Sequence, residues 1–151
     1  MFDFGQEIPI GSDHAGYCLK SQLIKDLSQK GYKFRDFGTF SEESVDYPDF
    51  THPLAGDINN GKYVRGIIIC GSANGVSMVA NKYAHVRAAV CWSDEIACLA
   101  RQHNDANIIA LPARYISTKE AISMVDIFFT TDFEGGRHQR RVEKIQVPLK
   151  P

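Results

Sequence analysis

The chain has 151 residues, 44% of them hydrophobic and 23% charged, a balance that suits one compact domain with a full core, so a single domain over residues 1–151 is expected. The formal net charge of -1 excludes a global basic field of the kind that draws in nucleic acid. No apolar run approaches the ~20 residues that span a bilayer, and the first five residues carry neither a basic nor an apolar targeting region; a cytoplasmic protein with no membrane partner is expected.

Short apolar runs alternate with longer amphipathic segments, which is the mark of βαβ units and a parallel sheet. A first strand over Gln6–Ile10 ends at Gly11-Ser12-Asp13-His14. Leu19, Leu23, Ile24 and Leu27 then repeat at helical spacing, with Gly31 placed to end that helix. Lys33–Phe37 reads as the second strand. The polar, turn-rich stretch from Gly38 to Asp49 follows, and Pro48 suits the opening of a helix that runs to Asn60-Gly61.

Gly66–Cys70 is an unbroken apolar run rich in β-branched residues, as expected of a strand covered on both faces. It runs straight into Gly71-Ser72-Ala73-Asn74-Gly75, where glycines let backbone N–H groups converge on an anion. A thiol at that junction is either a small core residue or a reactive group beside an oxyanion hole, and both readings stand at this point. A helix around Val76–Lys82 comes next. Strands are expected at Arg87–Val90 and Asn107–Leu111, with a helix from about Ser93 to Gln102 between them. Ser117 and Glu120 have the spacing of a capping box, opening a helix to about Phe129, and a last helix is expected over Arg137–Gln146.

Five strands with right-handed helical crossovers give an α/β three-layer αβα sandwich with a five-stranded parallel sheet, of Rossmann or flavodoxin type. Ligands in such sheets sit outside the carboxyl ends of the strands, at the switch point of strand order. That rule gathers the loops Gly11–His14, Asp46-Tyr47, Cys70–Gly75 and Cys91–Asp94. Cys18, Cys70, Cys91 and Cys98 form no C-x-x-C pair, and the five histidines make no H-x-x-x-H pair. Free thiols are therefore expected, with no metal and no cofactor.

Two further clusters carry ionisable groups. Arg101-Gln102-His103-Asn104-Asp105 closes the fourth helix, where a histidine either exchanges protons near neutral pH or decorates a solvated helix end. In Gly135-Gly136-Arg137-His138-Gln139-Arg140-Arg141, a helix places Arg137 and Arg141 on one face, suited to a phosphate dianion or to a basic surface patch. Arg140 falls on another face.

Together these motifs resemble the family of type B ribose-5-phosphate isomerases and their galactose-6-phosphate and allose-6-phosphate relatives. The resemblance rests on Gly11-Ser12-Asp13-His14-Ala15-Gly16, Asp46-Tyr47-Pro48, Ile69–Gly75, Asn81-Lys82, Arg101–Asn107 and Glu134–His138, in order and at compatible spacing. It implies a metal-free aldose–ketose isomerase that interconverts D-ribose 5-phosphate and D-ribulose 5-phosphate through a cis-enediolate, in the pentose phosphate pathway. Cys70 is then the base at C2, supported by Ser72 and the Gly71–Gly75 turn, and His103 opens the furanose ring. Asp13, Tyr47, Asn74 and Asn104 hold the sugar, with His14, Arg114, Arg137 and Arg141 on the phosphate. A homodimer, in some relatives a tetramer, is implied, with His103 and Asn104 donated to the neighbouring site.

Many relatives carry Gly-Thr-Gly-x-Gly in the turn, where this chain has Gly-Ser-Ala-Asn-Gly; Asn74 is expected to absorb the missing glycine, because Asn tolerates left-handed geometry. Position 76 is Val76, so the glutamate that serves some relatives as base is absent and the thiol version applies. The competing readings are a six-carbon sugar phosphate as substrate and a non-catalytic phosphate-binding module on the same fold. A nicotinamide-dependent oxidoreductase is disfavoured, since no G-x-G-x-x-G follows the first strand.

Overall fold

The computed structural model describes residue 3 and residues 5–147. Its strands are β1 (Glu7–Ser12), β2 (Lys33–Asp36), β3 (Gly66–Cys70), β4 (Ala88–Val90) and β5 (Ile108–Pro112). The helices are α1 (Tyr17–Ser28), α2 (Tyr47–Asn59), α3 (Asn74–Ala80), α4 (Asp94–Asn104), α5 (Thr118–Thr130) and α6 (Arg137–Glu143). All pairings are parallel, and the strand order is β2-β1-β3-β5-β4. The expected three-layer sandwich is therefore present. The exchange of β5 and β4 at one edge follows from a crossover through α3 that skips a position, which β5 later fills.

Alternation along the central strands divides the core. Ile67 and Ile69 pack with Leu19, Leu23 and Leu27 of α1 and with Ala97, Met124 and Phe128 of α4 and α5. Ile68 and Cys70 point the other way, into the layer formed by Leu54, Ala55 and Ile58 of α2 and Val76 and Ala80 of α3. With about 0.8 kcal/mol gained per buried CH₂, this two-sided β3 is the natural anchor of the sheet.

Most boundaries lie within two residues of expectation, and the departures have local causes. β1 runs on to Ser12 because Gly11 and Ser12 pair with Ile68 and Ile69. α3 starts two residues early, directly after a left-handed Ala73 with φ 63. Asn74 is already helical, so Ala73, not Asn74, absorbs the missing glycine. α6 stops at Glu143, short of Gln146. α4 extends to Asn104, which puts His103 and Asn104 in its last turn. Pro48 lies in the first turn of α2, and Ser117 and Glu120 make both bonds of the capping box.

Lys20 departs from the helical pattern in a different way. Its side chain is 1% exposed, beneath the rings of Tyr17 and Phe40, and its Nζ donates to Asp36 Oδ1 at 2.5 Å. Burial lowers its pKa, against the opposing pull of Asp36. The ion pair ties α1 to the carboxyl end of β2, and Gly38 N–H donates to the same carboxylate oxygen at 2.8 Å. Ser12 N–H then donates to the Gly38 carbonyl at 2.6 Å, which fixes the loop beside the end of β1.

Candidate active site

β1 and β3 are neighbours whose crossovers lead in opposite directions, so a crevice opens outside their carboxyl ends. A cleft of about 280 Å³ occupies that place. Asp13 and His14 line it from the turn after β1, Tyr47 from the start of α2, Cys70, Gly71, Ser72 and Gly75 from the turn after β3, and Arg114 from the turn after β5.

Each side chain is set by its backbone. Cys70 is 5% exposed, and its Sγ accepts the Ala73 N–H at 3.1 Å. That bond exists because Ala73 adopts φ 63, a left-handed conformation costing a non-glycine residue about 1–3 kcal/mol. Such a contact gains strength as negative charge grows on sulfur. Strain in the turn is thus converted into an N–H aimed at the thiol.

Asp13 is 7% exposed and is fixed by the Gly16 N–H, which donates to Oδ1 at 3.0 Å. His14 Nδ1 accepts the Val45 N–H at 3.2 Å. The ring therefore holds its proton on Nε2, as a donor. Two glycines make room for cleft residues. A Cβ at Gly75 would lie 2.6 Å from Tyr47 Cζ, and one at Gly71 would lie 3.2 Å from Arg114 Nε. The Tyr47 ring and the Arg114 side chain therefore lie directly on the turn. Arg114 N–H donates to the Gly71 carbonyl at 3.1 Å, so the two loops move as one.

The other expected residues form a second group that does not line this cleft in the single chain. Asn74 is exposed on the first turn of α3. His103 and Asn104 end α4, and Arg137 and Arg141 are exposed on α6. His103 stacks on His138 with centroids 4.2 Å apart and planes at 9°, and Glu134 lies beside both. His138 is 5% exposed, and burial, with His103 and Arg137 nearby, lowers its pKa. Sequence reasoning gave His138 no role, although it stands between Arg137 and Arg141 and closes the motif Glu134–His138.

Arg101, first in the charged run of α4, is a scaffold residue. It is 4% exposed, its Nη1 reaches the Ala106 carbonyl and Asp105, and its Nε donates to the Thr131 carbonyl at 3.3 Å. Tyr115, 76% exposed, also borders the cleft and had no sequence signal.

An open cleft at the switch point of a parallel sheet, holding a buried thiol, a carboxylate and a guanidinium, defines an α/β protein equipped to act on a small anionic ligand. Residues 8–145 match the family model described as Ribose/Galactose Isomerase, and the chain belongs to that family. It is 41% identical over 140 residues to ribose-5-phosphate isomerase B of Escherichia coli strain K12, covering 93% of this chain and 94% of the relative. A solved ribose 5-phosphate isomerase of Thermotoga maritima is 46% identical, with a TM-score of 0.90 over 93% of this chain and 97% of that one. A Mycoplasma genitalium ribose-5-phosphate isomerase B, solved with bound ribulose-5-phosphate, is 42% identical, with a TM-score of 0.87 over 92% of this chain and 93% of that one.

Proposed function

We propose that this chain interconverts D-ribose 5-phosphate and D-ribulose 5-phosphate in the pentose phosphate pathway, with Cys70 as the base. The observation that carries the proposal is the Cys70 sulfur at the head of the cleft, receiving the Ala73 N–H at 3.1 Å. The ribulose-5-phosphate held by the Mycoplasma genitalium relative supports the choice of sugar.

The mechanism follows from the groups in the cleft. Cys70 as thiolate removes the proton at C2 of the open-chain aldose, electrons flow to the C1 carbonyl oxygen, and a cis-enediolate forms. The proton on O2 passes to O1, and the proton held by Cys70 is delivered to C1 as the C2 carbonyl forms, which gives the ketose and restores the thiolate. N–H groups of the Gly71–Gly75 turn and the Ser72 hydroxyl face the oxygens on which charge develops, where fixed donors are most effective. Asp13 and Tyr47 hold sugar hydroxyls. His14, through its Nε2–H, and Arg114 take the phosphate, and binding that group away from the reacting carbons orients the chain.

Ring opening needs a group that moves a proton from the anomeric hydroxyl to the ring oxygen, a task for an imidazole. His103 has the chemistry but lies outside its own chain's cleft. A homodimer in which His103, Asn104, Arg137 and Arg141 complete the neighbouring cleft resolves this. Among the described residues no helix is long and apolar enough to cross a membrane, and a cytoplasmic metabolic enzyme accords with that.

A panel of five- and six-carbon aldose phosphates, assayed with purified enzyme after chelator treatment, tests the reading. Ribose 5-phosphate is expected to give the highest kcat/KM, with no loss on chelation. Preference for allose or galactose 6-phosphate would reassign the substrate, and no turnover of any aldose phosphate would favour a binding module.

A further inference from the structure

The loop that follows α5 is fastened to α4 at several points. Glu134 N–H donates to the Gln102 carbonyl at 3.1 Å, and the buried Arg101 holds the Thr131 carbonyl from beneath. Gly135 and Gly136, at φ 66 and 54, then reverse the chain, and the His138 N–H returns to the Gly135 carbonyl at 3.0 Å. The effect is to lay the His138 ring flat against His103, centroids 4.2 Å apart. Arg137 Nε lies 3.4 Å from His138 Nε2 and Glu134 Oε2 lies 3.5 Å from the same nitrogen, while burial favours the neutral form of the ring. Glu134 Oε2 stands 4.0 Å from His103 Nε2.

We propose that His138 and Glu134 are positioning residues for His103 in sugar ring opening: His138 is a neutral platform that fixes the plane of the His103 ring, and Glu134 balances the charge His103 gains on protonation. This deepens the proposed function and rests on it. A neutral aromatic face suits both states of its partner, stacking on the neutral ring and attracting the charged one.

Two assays separate the steps. Turnover of ribose 5-phosphate, a furanose in solution, needs ring opening. Exchange of the C1 hydrogen of ribulose 5-phosphate with D₂O does not, because phosphate on O5 keeps this ketose acyclic. His103→Ala serves as the reference. It is expected to lose ribose 5-phosphate turnover while keeping exchange; retention of turnover there would remove His103 from ring opening and overturn the positioning role, whereas absence of turnover in the wild type would overturn the proposed function.

With that reference in place, His138→Ala is expected to lower kcat on ribose 5-phosphate roughly tenfold, the scale of a small misplacement of a reacting group, with exchange within about twofold of wild type. His138→Phe keeps a flat ring and should recover most of the loss; Glu134→Gln should cost roughly threefold through the lost charge. Wild-type turnover in both His138→Ala and Glu134→Gln would overturn the positioning role. So would an equal loss of exchange and turnover in His138→Ala, since that reports damage to the whole site.

Discussion

Replacing Gly75 with alanine separates the role of Tyr47 in catalysis from its role in the fold. The new Cβ would lie 2.6 Å from Tyr47 Cζ and 2.9 and 3.0 Å from its two Cε atoms. Carbon atoms in contact sit roughly 3.5–4.0 Å apart, so the ring must withdraw by about 1 Å. A swing of roughly 15° about χ1 does this, inside the ~30° that costs about 0.5–1.5 kcal/mol. The ring is 38% exposed, so it has room to move outward. Against this small strain, alanine is favoured over glycine by up to about 1 kcal/mol in a helix, and Gly75 lies in the first turn of α3. Stability should therefore stay within about 1 kcal/mol of wild type, or about 2–4 °C in Tm. Activity should not, because the displaced ring leaves the sugar: kcat/KM for ribose 5-phosphate should fall roughly tenfold. Thermal unfolding and steady-state kinetics on one preparation test both halves. Unchanged kcat/KM would remove Tyr47 from substrate binding, and a Tm loss far beyond that range would show the ring to be pinned.

Other substitutions have different signatures. At Gly16 a Cβ would meet the Ile69 carbonyl oxygen at 2.8 Å, and the backbone of a central strand cannot swing aside, so Gly16→Ala should cost at least about 2 kcal/mol in urea unfolding. Arg114→Ala should leave stability unchanged, because the side chain is exposed, while lowering kcat/KM roughly 10- to 100-fold, mainly through KM, as expected for a lost charge-assisted bond to phosphate. His138 titrates below its ordinary value in the folded chain because burial disfavours its charged form. Below a pH of about 6.5, the unfolded chain takes up a proton that the native chain refuses, so stability falls as pH drops through that range. His138→Phe should lose less Tm between pH 7.5 and pH 5 than wild type, and an equal loss would contradict the sign.

The periodicity of Leu19, Leu23 and Leu27, the apolar run Gly66–Cys70 and the Ser117/Glu120 spacing were enough to place the layers, because each reports a local rule that tertiary packing reinforces. The exchange of β5 and β4 leaves no such trace, since both strands are short apolar runs and nothing local distinguishes the edge. The turn misled in one respect: asparagine is the usual left-handed residue, but the strain falls on Ala73 because only its N–H reaches the Cys70 sulfur. Nothing in the local sequence marks Lys20 or Arg101 for burial, yet both are buried, each held by an acid and by cover that pattern analysis does not see. The cleft half of the site was legible because it sits in loops at strand ends, where the fold dictates proximity. The pairing of His103 with His138 depends on a chain reversal at Gly135-Gly136, a purely tertiary event.

The most direct test of the central claim is the turnover of ribose 5-phosphate by Cys70→Ala, with circular dichroism on the same sample. Cys70 sits at the edge of the α2/α3 core layer and the change removes a single sulfur atom, so the variant should fold, while removal of a general base should lower kcat by about 10²–10⁴. A folded Cys70→Ala enzyme that turns over at the wild-type rate would contradict the assignment of the thiol as the base.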